Sequence, residues 1–178
     1  DYFCEDGEKN RSEHFVDDRL RARDSDLGDD YSISLWFWNG MPNDRRAETG
    51  WLFSRDFDYA LGNHGDHLGI SGTTSPLPGR LMFFHGADST VSVYGKAEIP
   101  RWTWTHLVFT RKGEFITVHL NGKLDLETEA PADFPEQLDR LFFGGRSDNA
   151  NNFEGRLDEI AVFDRALNAK EIEALTVK

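Results

Sequence analysis

One cysteine, Cys4, stands in 178 residues. It leaves no partner for an internal disulfide and no thiolate set for zinc. Positive charge is also scarce. Against 32 Asp and Glu there are 20 Lys and Arg, a formal net charge of −12. That balance argues against nucleic acid or an anionic membrane as partner and suits neutral ligands, cations or basic proteins. No apolar run nears the roughly 18 residues of a membrane helix, so no membrane insertion is expected. The opening Asp1-Tyr-Phe-Cys4 carries no signal-peptide pattern. It reads as a mature product or as a domain excised from a larger polypeptide. Internal repeats, low-complexity tracts and strand–helix alternation are missing, which removes solenoids and parallel α/β folds. So are the Gly-x-Ser-x-Gly elbow and the phosphate-binding glycine loop, which removes two common catalytic signatures.

What is present points to one all-β domain. The 14 Phe and 5 Trp supply a core large enough for a single unit over residues 1–178. Glycines and prolines scattered between short apolar runs suit many turns. Residues 1–14 are charged and poorly patterned, a frayed terminus or an edge strand. Alternation predicts strands at 15–22, 31–38, 51–55, 67–71, 80–85, 91–94, 102–111, 115–120, 123–126 and 141–144. In the first of these Phe15 and Leu20 are the apolar anchors around Val16. In the second, Ile33, Leu35 and Phe37 point one way and Ser32, Ser34, Trp36 and Trp38 the other. Asn121-Gly122 signals a type I′ hairpin turn.

The closing stretch is the most informative. Arg156 to Phe163 reads as a strand, with Leu157, Glu159, Ala161 and Phe163 on one face and Asp158, Ile160 and Val162 on the other. Asn168 followed by Glu171 is a capping box that opens a helix through about Leu175. A dozen short strands with one terminal helix predict a two-sheet antiparallel jelly-roll sandwich.

Four stretches carry a family resemblance. They are Gly155-x-Leu-Asp-Glu-Ile-x-x-Phe-x-Arg-Ala-Leu167, Tyr31-Ser-Ile-Ser-Leu-Trp36, Trp104-Thr-His-Leu-Val-Phe-Thr110 and Val118-His-Leu-Asn-Gly122. Their order and spacing resemble LamG-like (laminin G type 3) domains of the concanavalin A-like lectin/glucanase superfamily. The resemblance implies a concanavalin A-like jelly roll, an extracellular or envelope (periplasmic) location, and a place within a larger secreted protein. It also implies a structural Ca²⁺, with Asp158 as a ligand at its motif position. Asp24, Asp26 and Asp30 of the early acidic loop are its candidate companions. A salt bridge or a backbone cap would satisfy Asp158 equally well. Asp148-Asn-Ala-Asn-Asn152 is a weaker cation candidate and otherwise a solvated Asx-rich turn.

Sugar-binding sites stack apolar sugar faces on aromatic rings. Trp38, Trp51 and Trp102, near strand ends, and Tyr59, in a loop, are the candidate platforms. Trp36 and Trp104 lie within core motifs. His64-Gly-Asp-His67 offers two imidazoles and a carboxylate to a transition metal, or a solvated loop histidine. His106 reads as a satisfied sheet-face histidine. The paired-carboxylate strand of the superfamily's glucanases is not found. The expected function is therefore a non-catalytic binding module for a glycan or polysaccharide, with a protein-interaction or accessory domain as the alternative and a glycan-active enzyme of unfamiliar carboxylate placement as a third reading. The loops 39–46 and 56–66 are where a site is expected.

Overall fold

The computed structural model describes residues 2–5, 8–15, 18–24, 27–86 and 88–176, with backbone alone at 2–5, 8–11, 13 and 88–91. Val16 and Asp26 lie outside the described residues.

Fourteen strands and one helix follow in order: β1 Tyr2–Glu5, β2 Glu8–Arg11, β3 Glu13–Phe15, β4 Leu20–Arg23, β5 Tyr31–Asn39, β6 Gly50–Arg55, β7 Asp66–Ile70, β8 Arg80–His85, β9 Asp88–Glu98, β10 Trp104–Lys112, β11 Phe115–Leu120, β12 Lys123–Glu129, β13 Arg140–Phe143, β14 Gly155–Phe163 and α1 Ala169–Leu175. β1 and β2 pair with each other. The rest form two six-stranded antiparallel sheets, a first of order β12-β11-β10-β5-β14-β3 and a second of order β4-β13-β6-β7-β8-β9. This is the jelly-roll sandwich that the strand pattern predicts.

The core lies between the sheets. Ile33, Leu35, Phe37, Leu107 and Phe109 face Leu52, Phe53, Leu68, Leu81, Phe83 and Leu141. At one end the sheets are joined by charge. Asp66 of β7 accepts two hydrogen bonds from Arg111 of β10, each 2.7 Å, and further ones from Tyr31 Oη at 2.6 Å and His85 Nδ1 at 2.9 Å. Burial pushes this carboxyl up, but its bonds to His85 and Arg111 outweigh that and hold it well below the usual carboxylate range.

Three elements depart from the sequence pattern. The expected strand over 15–22 is two, because the chain crosses between sheets after β3. Leu20 is 42% exposed and anchors nothing. Trp102 lies outside β10, in a turn with φ of 56°. In β14 a bulge sets Glu159 and Ile160 against Leu35 alone, with Glu159 at φ 49°. Leu157 therefore packs in the core, while Phe163 reaches the opposite face and α1. Local signals survive. Asn168 and Glu171 form the reciprocal capping box, worth about 1 kcal/mol. Asn121 and Gly122 both take positive φ. Ile172 of α1 and Leu167 just before it dock on Val108, covering part of the first sheet's outer face.

Candidate functional site: a loop-covered cleft on the second sheet

The outer face of the second sheet is aromatic, and the register shows why. One row runs Arg21, Phe142, Ser54, His67, Phe84 across β4, β13, β6, β7 and β8. The next runs Trp51, Gly69, Met82, Tyr94. His67 stacks on Phe84 with ring centres 4.4 Å apart, and Trp51 meets the Phe84 ring edge-on at 5.2 Å. Gly69 makes room: a Cβ there would sit 2.7 Å from the Gly50 carbonyl oxygen and 3.0 Å from the Trp51 ring.

Loops at 40–49, 56–65 and 144–154 approach this face. Two of them hold strained backbone. Tyr59, Leu61, Asn149 and Asn151 have φ of 58°, 61°, 60° and 53°. Asn tolerates that region, but Tyr and Leu each cost about 1 kcal/mol or more there. The strain is held by Asp56, which is fully buried. Its carboxylate accepts from Phe57 N (2.8 Å), Gly62 N (2.9 Å), Ser147 Oγ (2.9 Å) and His64 Nδ1 (3.0 Å). Tyr59 N donates to the Ser147 carbonyl at 3.0 Å, tying the two loops together. Burial raises the Asp56 carboxyl above its ordinary range despite these donors.

Where the loops meet, a shallow cleft of about 520 Å³ is lined by Arg46, Ala47, Glu48, Asn149, Asn151 and Asn152. Its walls are set by the backbone. Trp51 N donates to the Asn151 carbonyl at 3.1 Å, and Arg46 donates to the Asn152 carbonyl. Asn152 Nδ2 donates to Asn149 Oδ1 at 3.3 Å. Among the described residues, neither Trp51 Nε1 nor Asn152 Oδ1 has a hydrogen-bond partner, although both are buried. A guanidinium, a carboxylate and three amides line one shallow volume. That set gives and accepts hydrogen bonds in several directions, as a polyhydroxylated neutral ligand requires.

The residues singled out from sequence do not share one place. Trp51 lies beside the cleft wall, but its ring is buried among Met82, Phe84 and Tyr94. Tyr59 is 71% exposed, with its backbone N bonded to the Ser147 carbonyl two residues before Asn149 of the cleft wall. Trp38 lies on the other sheet's outer face, opposite Trp104, with Arg156 5.4 Å from its ring centre. Trp102 is exposed beyond the rim of β10, with Arg101 4.4 Å from its ring.

The aspartates named for calcium are also dispersed. Asp158 pairs with Trp36, six positions along β5 from Asp30, about 20 Å of extended strand. Its Oδ1 accepts from Glu159 N at 2.9 Å, so it caps the bulge. Asp30 accepts from Gly113 N at 2.7 Å. The Asp24 backbone bonds to Asp139 at the second sheet's edge. Among the described residues these side chains do not fit one shared ion, and no group of three or more His, Cys, Asp or Glu gathers as metal ligands.

Asp66 and His67, read above as part of a possible metal cluster, point to opposite faces of β7. His67 Nε2 donates to the His64 carbonyl at 2.7 Å and Nδ1 accepts from Ser54. Burial lowers its pKa from 6.5 to about 3, so the ring stays neutral. Among the described residues no helix is long and apolar enough to cross a membrane.

Sequence reasoning pointed to the loops 39–46 and 56–66, and to 148–152 as a weaker cation candidate or Asx-rich turn, but did not name Glu48, Asn149 or Asn151 as lining a ligand cleft. The signal for the last two was the Asx-rich composition of their loop, which left-handed backbone favours.

Comparison with known proteins agrees with this architecture. Domain 4 of AbnA, a GH43 extracellular arabinanase from Geobacillus stearothermophilus solved in complex with arabinotriose, superposes with a TM-score of 0.71. It is 20% identical, over 99% of this chain and 80% of that one. A putative carbohydrate-binding protein from Bacteroides ovatus superposes with a TM-score of 0.69 at 11% identity, over 91% of this chain and 45% of that one. A SAP-like pentraxin from Limulus polyphemus gives 0.61 at 15% identity, over 84% of this chain and 70% of that one. At these identities the likeness is one of fold. No curated protein matches the chain. The sequence model of the laminin G type 3 family matches residues 15–173, and the chain belongs to that family of the concanavalin A-like lectin/glucanases superfamily.

Proposed function

We propose that the chain is a non-catalytic carbohydrate-binding module that takes its ligand in the cleft between Arg46–Glu48 and Asn149–Asn152. One observation carries the reading: a shallow cleft, rich in amides, whose Asn149–Asn152 wall takes left-handed backbone at Asn149 and Asn151 beside an aromatic sheet face. A concavity with a few convergent polar groups is the usual form of a ligand site. The printed descriptions of two fold neighbours, an arabinotriose complex and a putative carbohydrate-binding protein, favour the same class of ligand. Glu48 is the one carboxylate among the described lining residues, whereas glycoside hydrolysis by the usual route needs two. A secreted or envelope location within a larger protein accords with this reading.

Affinity electrophoresis against soluble arabinan, xylan, mannan and β-glucan tests it, run with calcium and with chelator. The parent protein is expected to be retarded by one of these neutral polysaccharides. Asn151→Gly removes a lining amide while tolerating φ of 53°. Together with Glu48→Ala it should weaken retardation about tenfold without lowering Tm. Parent protein that no polysaccharide retards refutes the reading.

A further inference from the structure

Tyr59 is a poor choice for stability. Its ring is 71% exposed, so it buries little apolar surface. Its backbone is left-handed, at φ 58°, where glycine would carry no penalty. Yet the ring is firmly placed. Arg19 lies with its guanidinium carbon 4.8 Å from the Phe142 ring centre and 5.6 Å from that of Tyr59. Phe142 belongs to β13, so the ring, the guanidinium and the sheet form a stack with Tyr59 outermost. Arg19 Nη1 is fixed in turn by the Arg146 carbonyl at 2.8 Å. Leu61, also left-handed and 60% exposed, stands in the same loop.

The stack adjoins the cleft. Tyr59 N bonds to the Ser147 carbonyl, and Asn149, two residues on, lines the cleft. Arg19, beneath the ring, also borders the cleft wall: a Cβ at Gly145 would meet both Arg19 Cβ, at 3.1 Å, and Asn152 Oδ1. A chain whose hydroxyls occupy the cleft can therefore extend past Arg19 to the Tyr59 ring. One ring face rests on Arg19, and its exposure leaves the remaining surface to solvent.

We infer that Tyr59, seated on Arg19 and Phe142, is a stacking subsite that continues the cleft, so that the module binds the interior of a neutral polysaccharide chain rather than a single terminal sugar. This rests on the proposed binding of carbohydrate in the cleft. Each sugar unit presents an apolar C–H face to an aromatic ring and its hydroxyls to polar groups, which is the division of labour seen between Tyr59 and the Asn149–Asn152 wall.

The probe is the polysaccharide that retards the parent protein, cut into oligosaccharides of one to six units and titrated calorimetrically. Affinity should rise about tenfold or more between one unit and three, then level off. Tyr59→Ala should lose about five- to tenfold for the longer oligosaccharides and little for the single sugar, and Tyr59→Phe should retain parent affinity. Tyr59→Gly separates binding from folding: it relieves the left-handed strain, so Tm should hold or rise while long-chain affinity falls. A Tyr59→Ala protein that binds every length like the parent, while Asn151→Gly does not, overturns the subsite and leaves the cleft standing. If Asn151→Gly and Tyr59→Ala are both silent although the parent binds, both the cleft and the subsite are wrong. Parent protein without affinity for any of the polysaccharides overturns both as well.

Discussion

His67 shows how a single residue ties the site to pH. Its ring is stacked on Phe84, and both nitrogens are used in the neutral form, one toward the His64 carbonyl and one toward Ser54. Charging it would bury an imidazolium away from water, and this desolvation is why its pKa falls to about 3. A depressed native pKa means that the unfolded chain takes up the proton first. Stability is then complete above pH 6.5 and is lost progressively as pH falls toward 3. Within that window the slope contributed is about 1.4 kcal/mol per pH unit. His106 and His119 are also lowered by burial and act with the same sign. Asp56, whose pKa is raised by burial, acts with the opposite sign, and because it is present in both the parent and His67→Gln it cancels in their comparison. Urea denaturation of the parent and of His67→Gln at pH 7 and pH 5.5 isolates the effect. The parent should lose more stability than the variant over that interval; parallel losses would mean that His67 does not titrate with folding.

Among the elements, β14 explains both a success and a failure of sequence reading. Its limits and the capped helix after it are legible because alternation and capping are local. The facing of its side chains is not, because the bulge at Glu159 and Ile160 inserts one extra residue and turns Phe163 away from Leu157's side. The chemistry of Asp158 changes accordingly. It accepts from Glu159 N where that residue takes a positive φ, a local cap that accounts for a carboxylate at this position. Asp158→Ala should therefore cost about 1–2 kcal/mol. Thermal unfolding should show the same loss with calcium and with chelator; a loss that appears only with calcium would assign Asp158 to an ion. The loops at 56–65 and 144–154 follow the opposite logic. Their composition announces turns, but their mutual geometry depends on Asp56 reaching Ser147, 91 residues away.

At the scale of the whole molecule, the sandwich is legible because strands 31–39 and 104–112 alternate cleanly and carry the family's motifs. The connection between sheets is not. Asp66 sits beside His67 in what reads as a polar loop, and its burial is compensated by the distant His85, Arg111 and Tyr31. The same holds for the cleft, whose walls come from residues about a hundred positions apart. The two outer faces differ in kind. That of the first sheet is partly covered by α1, while that of the second carries the strained loops. Ligand is proposed to bind the second. An amide chemical-shift map of the labelled protein, titrated with oligosaccharides of the polysaccharide that retards it, tests this most directly. Shifts are predicted at 46–51, 57–62 and 146–152. Shifts confined to 36–38, 104–106 and 156–158, on the outer face of the first sheet, would contradict it.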